Sequence, residues 1–255
     1  MNQEHVNIIE EASLNAWPAK EQMLFDNWVL RLTGGPSKRV NSVTVRGMSS
    51  LPLEKKVAFC DQIFQRKELP LIFRIPEPLV TIELSNCLED LDFHSFDPTL
   101  VMGREVDEGQ DLKKGLDIRQ MSPVDWLAAR SWLIGLPLTA LGYHAEILNL
   151  ILPEKTLICL FEDGQPAACG MAVIQADLLG YFSIYTRHTA RRRGYARAVM
   201  AALSNWGRER GAVFGYLQVE GHNQTAKAMY ERLGFEQVYT YKYMKREFKW
   251  NDQRQ

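Results

Sequence analysis

The chain has 255 residues, 46% of them hydrophobic, 24% charged and 10% aromatic, with 30 Lys plus Arg against 31 Asp plus Glu. That composition excludes a mainly disordered chain, and a formal charge of -1 excludes bulk attraction to nucleic acid or to an anionic membrane. No stretch reaches the run of about 18 apolar residues that a membrane helix needs, and the start MNQEHVNIIEE carries acids where a signal peptide carries Lys or Arg, so a cytoplasmic location is expected.

Charge is uneven along the chain. Residues 1–116 hold 13 basic and 18 acidic side chains, residues 117–255 hold 17 and 13. The first half reads as strands at 28–32 and 41–46, a helix at 53–65, a strand at 71–75, a helix at 80–90 and a strand at 96–106. Between the first two strands, Gly34-Gly35-Pro36-Ser37-Lys38-Arg39 lacks the GxxxxGK(S/T) spacing of a phosphate loop and reads as a hairpin turn. A glycine-containing, charge-rich stretch at 105–115 is the expected linker, which divides the chain into domains 1–115 and 116–255.

Beyond the linker come a short strand at 117–120 and a helix opened by Ser122-Pro123, with Trp126, Ala129 and Leu133 along it. A second short helix is expected at 144–152. Strands at 156–161 and 167–174 are joined by Asp163-Gly164, a pair suited to a tight hairpin turn, and a third strand follows at 178–186. Next is a helix with Ala196, Val199, Leu203 and Trp206 on one stripe, closed by Gly211. A strand at 214–219, a helix at 223–233 closed by Gly234 and a tyrosine-rich strand at 237–245 complete the order βααβββαβαβ.

Five arginines, Arg187, Arg191, Arg192, Arg193 and Arg197, crowd the junction of the third strand and the long helix, and Gly194 stands where the loop becomes helix. First-turn amides of a helix have no internal partner and lie at the positive end of its dipole, so this junction suits a diphosphate; a solvated basic face is the plainer alternative. Asn223, Ala226 and Tyr230 fall at i, i+3 and i+7, on one helix face. Cys60, Cys87, Cys159 and Cys169 form no CxxC pair and read as buried thiols. The five histidines never recur at metal-ligand spacing, so no metal is expected.

Arg191-x-x-Gly194-x-Ala196 after a strand resembles the (Q/R)xxGx(G/A) pyrophosphate loop of the GNAT acyltransferase superfamily, and Asn223-x-x-Ala226-x-x-x-Tyr230-x-x-x-Gly234-Phe235 resembles its second motif. The resemblance spans about residues 117–248. It implies an α+β fold with a mixed, mostly antiparallel sheet splayed between its fourth and fifth strands and flanked by helices, preceded here by a smaller α/β domain. It implies acetyl-CoA as co-substrate and an N-acetyltransferase acting on a primary amine of a small molecule or peptide.

By that resemblance Ile184, Tyr185 and Thr186 offer main-chain groups to pantetheine and the acetyl carbonyl. Arg191, Arg192, Arg193, Gly194, Tyr195, Ala196 and Arg197 cradle the diphosphate, Asn223 lines the cofactor groove, and Tyr230 protonates the departing thiolate. Read from the residues alone, Tyr230 also suits an aromatic core and Asn223 a helix N-cap. N-terminal acetyltransferases of ribosomal proteins have Leu-Glu-Val on the fifth strand, whereas this chain has Leu217-Gln218-Val219-Glu220. Glu220 lies on the same strand face as Gln218, roughly 6.6 Å further along, and is the candidate base; a surface acid is the alternative.

The first half lacks its own Arg-x-x-Gly-x-Ala, and its helix and strand order from residue 53 repeats the end of the second half. It is either a degenerate duplicate or an extension of other origin, expected to wall one side of the acceptor pocket, while the residues that choose the acceptor are expected in variable loops such as 136–144. A non-catalytic CoA-binding module is the alternative function, and the near-neutral charge argues against nucleic-acid binding through the arginines. The acceptor and the oligomeric state stay open.

Overall fold

A computed structural model describes residues 3–106 and 115–247. The chain order is α1 (Gln3–Ala16), β1 (Glu21–Phe25), β2 (Trp28–Leu32), β3 (Ser42–Val45), α2 (Leu53–Arg66), β4 (Ile72–Pro76), α3 (Ile82–Asp90) and β5 (His94–Glu105). It continues through β6 (Asp117–Gln120), α4 (Pro123–Ile134), α5 (Gly142–Leu150), β7 (Lys155–Glu162), β8 (Gln165–Gln175), β9 (Leu178–Thr186), α6 (Tyr195–Arg208), β10 (Phe214–Glu220), α7 (Gln224–Arg232) and β11 (Glu236–Lys245). The second-half order βααβββαβαβ is the one the sequence implies. Local chemistry sets its punctuation: the Ser122 side chain accepts from the Asp125 amide and Gly135 closes α4 at φ 69°. Asp163 and Gly164 both take positive φ in the tight turn between β7 and β8, matching the strand twist.

One mixed sheet runs through the molecule in the order β1-β2-β3-β4-β11-β5-β10-β9-β8-β7-β6. Among the described residues only β3 with β4 and β9 with β10 pair in parallel. Each of those pairs is joined through a helix, α2 or α6, and each is followed by a further helix and strand. The two final strands are exchanged: β5 lies between β10 and β11, and β11 lies between β4 and β5. The expected boundary at residue 115 therefore divides the chain but not the sheet. Of the linker expected at 105–115, residues 107–114 lie outside the described residues, while Glu105 ends β5 opposite Phe214. The structure adds α1 and β1, which the sequence reading did not contain. It also starts α5 at Gly142 and ends it at Leu150, ahead of Pro153, and ends α6 at Arg208.

Helices cover both faces of the sheet. On one face, α1, α4 and α5 pack over Leu157, Phe182, Tyr216 and Tyr241, with Trp126 of α4 buried among them. On the other, α6 and α7 pack over Leu160, Tyr181, Leu217 and Phe235, and α2 and α3 over Trp28, Phe73 and Phe93. Alternation along β10 assigns its side chains: Tyr216 and Gln218 face α1, whereas Leu217 and Val219 face α6 and α7.

Candidate active site

The strands β9 and β10 pair only from Leu178 to Tyr181 and from Phe214 to Leu217. Beyond those residues β9 keeps β8 as its partner and β10 keeps β5, so the two part. The cause lies in β9 itself. Its register with β8 jumps between Met171↔Phe182 and Cys169↔Tyr185, and Ser183 adopts φ 55°. Such a bulge bends its strand and adds local twist. The edge of Ile184, Tyr185 and Thr186 that would meet β10 is left without a ladder partner, and Thr186 Oγ1 is buried with no hydrogen bond.

Past Thr186 the chain makes a short turn, His188–Ala190, and enters α6 through Gly194 at φ 83°. No side chain caps this helix, and the first helical bond runs from the Ala198 amide to the Gly194 carbonyl at 3.0 Å. The amides of Tyr195, Ala196 and Arg197 thus remain available to a ligand. A Cβ on Gly194 would meet nothing within 4 Å, so the glycine is required by backbone conformation and its outer side is open.

The arginines divide into two groups. Glu162 at the end of β7 receives Arg187 at 3.4 Å, Arg193 at 2.5 Å and the Tyr195 hydroxyl. That convergence holds the loop against the sheet and commits Arg193 and Tyr195, both expected to face phosphate, to a carboxylate. Arg191 bonds the Thr186 carbonyl at 3.5 Å. Arg192 and Arg197 are exposed and pair with no described residue, which leaves their guanidiniums free for an anion.

The second motif sits on α7. Asn223 caps that helix by accepting from the Ala226 amide at 3.1 Å. Tyr230, on α7, is buried edge-on to Phe235 at 5.9 Å, in the cluster that also receives Ile184, Tyr195, Ala226 and Met229. The fold therefore gathers the α6 entry and α7 on one face of the sheet, beside the parted β9 and β10. Burial pushes the Tyr230 phenol up to about 12, so it keeps its proton throughout the neutral range.

On β10 the two candidate positions differ. Gln218 donates to Ser13 Oγ at 2.9 Å and accepts from the Tyr241 hydroxyl at 3.0 Å. Glu220 is exposed and lies 3.3 Å from the His222 imidazole. Cys159 and Cys169 are both buried, and burial pushes their thiols up to about 12 and about 11, which disfavours the thiolate at neutral pH. Among the described residues no three His, Cys, Asp or Glu side chains come together as metal ligands.

On the opposite face of the sheet, Trp17 stacks on Phe182 at 6.2 Å and Phe182 meets Tyr216 edge-on at 6.2 Å. His144, at the start of α5, meets Trp17 edge-on at 5.6 Å; burial and then Arg130 push its imidazole down to about 4, so it is neutral. Glu162, Ser183 and Arg130 were not singled out in the sequence. Ser183 has no glycine or proline beside it to announce a bulge, and the Glu162 contacts reach across 25 to 33 residues.

The profile of the family described as "Probable histone acetyltransferase Rv0428c C-terminal" matches residues 4–244. The chain is 25% identical over 244 residues to the "Uncharacterized N-acetyltransferase YobR" of Bacillus subtilis (strain 168), covering 92% of this chain and 96% of that protein. Among solved structures, a GCN5-related N-acetyltransferase from Kribbella flavida superposes with a TM-score of 0.71 at 16% identity, covering 95% of this chain and 96% of that one. A tandem GNAT protein from the clavulanic acid biosynthesis pathway gives 0.67 at 11% identity over 85% and 77%. The architecture is thus the GNAT fold, and the match takes in both halves of the chain.

Proposed function

This chain belongs to the GNAT N-acetyltransferases, in the family described as probable histone acetyltransferase Rv0428c C-terminal, and on that premise we propose that it moves the acetyl group of acetyl-CoA to a primary amine. The observation that carries the reading is the conjunction of an uncapped α6 entry with the parted β9 and β10 beside it. Bound there, acetyl-CoA supplies an activated acyl group and a thiolate leaving group. The residues present suit it. The amides of Tyr195, Ala196 and Arg197, with Arg192 and Arg197, would hold the diphosphate, and the free edge of Ile184 to Thr186 would hold the pantetheine amides and orient the thioester carbonyl.

The amine attacks directly, a reading supported by Cys169, the thiol on the strand beside β9, which is too buried and too weakly acidic to carry an acyl group. Tyr230 holds a proton at its hydroxyl and delivers it to the leaving sulfur. Glu220 takes the proton that the amine must lose, through water, since its exposed carboxylate stands at the end of β10. The experiment is Tyr230→Phe, followed by thiol release and by calorimetric titration of CoA. Turnover falls by about 10²-fold while CoA affinity stays nearly unchanged. Unchanged turnover removes Tyr230 from the acid role.

A further inference from the structure

On the sheet face that carries α1, α4 and α5, guanidinium groups outnumber the acids that pair with them. Arg31 and Arg74 are buried there, Arg39 and Arg130 half-buried. Among the described residues the one carboxylate paired with any of the four is Glu10, which bonds Arg74 at 2.9 Å and accepts from the Tyr239 hydroxyl at 2.6 Å. Arg31 donates only to main-chain carbonyls, those of Arg39 at 2.8 Å, Leu14 at 3.1 Å and Trp17. Arg130 donates to the Ser183 carbonyl at 3.1 Å and to the Cys169 sulfur. The nearby Lys38 is already paired with Asp97.

Arg39 is the exception. Its side chain makes no hydrogen bond and no ion pair with any described residue, its guanidinium stands 5.8 Å from the Trp17 ring centre, and its Nε is buried without a partner. The Nε of Arg31 and the hydroxyl of Tyr143 are likewise buried and unsatisfied. Burial, and then the charges of Arg74 and Arg39, push Arg31 down to about 9, the mark of a locally positive field. A half-buried guanidinium with no counter-ion and a buried, unbonded Nε costs free energy, and a carboxylate from outside the chain would recover it in bidentate contact. The path from this group to the gap is continuous: Arg39 lies over Trp17, Trp17 stacks on Phe182 where pairing with β10 ends, and Phe182 meets Tyr216, two residues before Gln218.

We propose that the acceptor is a primary amine that also carries an anionic group, a carboxylate in the simplest case, seated on Arg39 and the Tyr143 hydroxyl. Its apolar part lies along Trp17 and its amine points toward Gln218 at the gap. The inference rests on the transferase reading above and deepens it. The same field disfavours polyamines and strongly basic acceptors.

The test compares L-phenylalanine with phenethylamine, which lacks only the carboxylate, and with spermidine, using the full chain, acetyl-CoA and thiol release. L-Phenylalanine is expected to show a kcat/KM about 10-fold or more above the other two. Arg39→Gln, whose lost side chain held no hydrogen bond, is expected to fold and to bring that ratio close to one, mainly through KM. A second arm titrates N-acetyl-L-phenylalanine and N-acetylphenethylamine into CoA-saturated protein by calorimetry. Equal or better use of phenethylamine or spermidine overturns the inference, as does a preference that survives Arg39→Gln. If no amine releases thiol, the transferase reading fails, and the calorimetry decides this one: Arg39-dependent binding of the carboxylated compound sustains it, and absent or indiscriminate binding overturns it.

Discussion

Gly194→Ala isolates the backbone contribution of the α6 entry. The residue stands at φ 83°, a conformation that costs a residue with a Cβ roughly 1–2 kcal/mol, and the added methyl meets no atom within 4 Å. The penalty is therefore conformational, with no steric clash inside the protein to confuse it. Two outcomes share that energy. If the loop keeps its shape, the melting temperature falls by about 2–8 °C for a chain of this size. If the loop relaxes, the amides of Tyr195 to Arg197 lose their alignment and CoA affinity falls by about 5- to 30-fold. The methyl also occupies the open side where a diphosphate would approach, so affinity falls in either case. Gly211→Ala is the control: it has φ 85° and the same empty surroundings, but lies at the far end of α6, and it should lower stability similarly while leaving CoA binding alone. Calorimetric titration of CoA into both variants separates them. Equal affinity for Gly194→Ala and wild type would refute the cradle.

Further outcomes follow from side chains around the site and in the core. Arg192→Ala and Arg197→Ala should each weaken CoA binding about 3- to 10-fold at low salt and less at high salt, since both groups are exposed; titration at two ionic strengths checks this. Glu10→Gln leaves the buried Arg74 unpaired and should cost about 3–5 kcal/mol, read from urea unfolding; a loss below about 1 kcal/mol would contradict the pairing. Asp26 accepts from the Leu51 and Ser50 amides and pairs with Lys56, and these hold its carboxyl at about 2, below the ordinary 3.8. Because the folded value is depressed, its contribution is complete above the ordinary value and is lost as pH falls toward 2. Unfolding measured between pH 4.5 and 2 should lose part of that slope in Asp26→Asn.

The parts of the molecule legible in the sequence are those written locally. Ser122-Pro123, Asp163-Gly164 and the stripe of Val199, Leu203 and Trp206 each set their own element within a few residues. The exchange of β5 and β11 was not legible, because it depends on which strands meet and no residue in either strand names its neighbour. The polar cluster on the α1 face is of the same kind: Arg74 finds Glu10 across 64 positions and Tyr239 finds it across 229. At the candidate site, the glycine and the free amides behind it follow from the motif alone. That Glu162 would take up Arg187 and Arg193 does not, since a run of arginines carries no mark of which ones an acid will capture.

The most direct test of the account is a crystal structure of the protein with CoA. The expected result places the diphosphate on the amides of Tyr195 to Arg197 and the thiol end between Ile184 and Tyr230 in the gap of β9 and β10. Electron density for CoA on any other surface, with that gap closed, would contradict it.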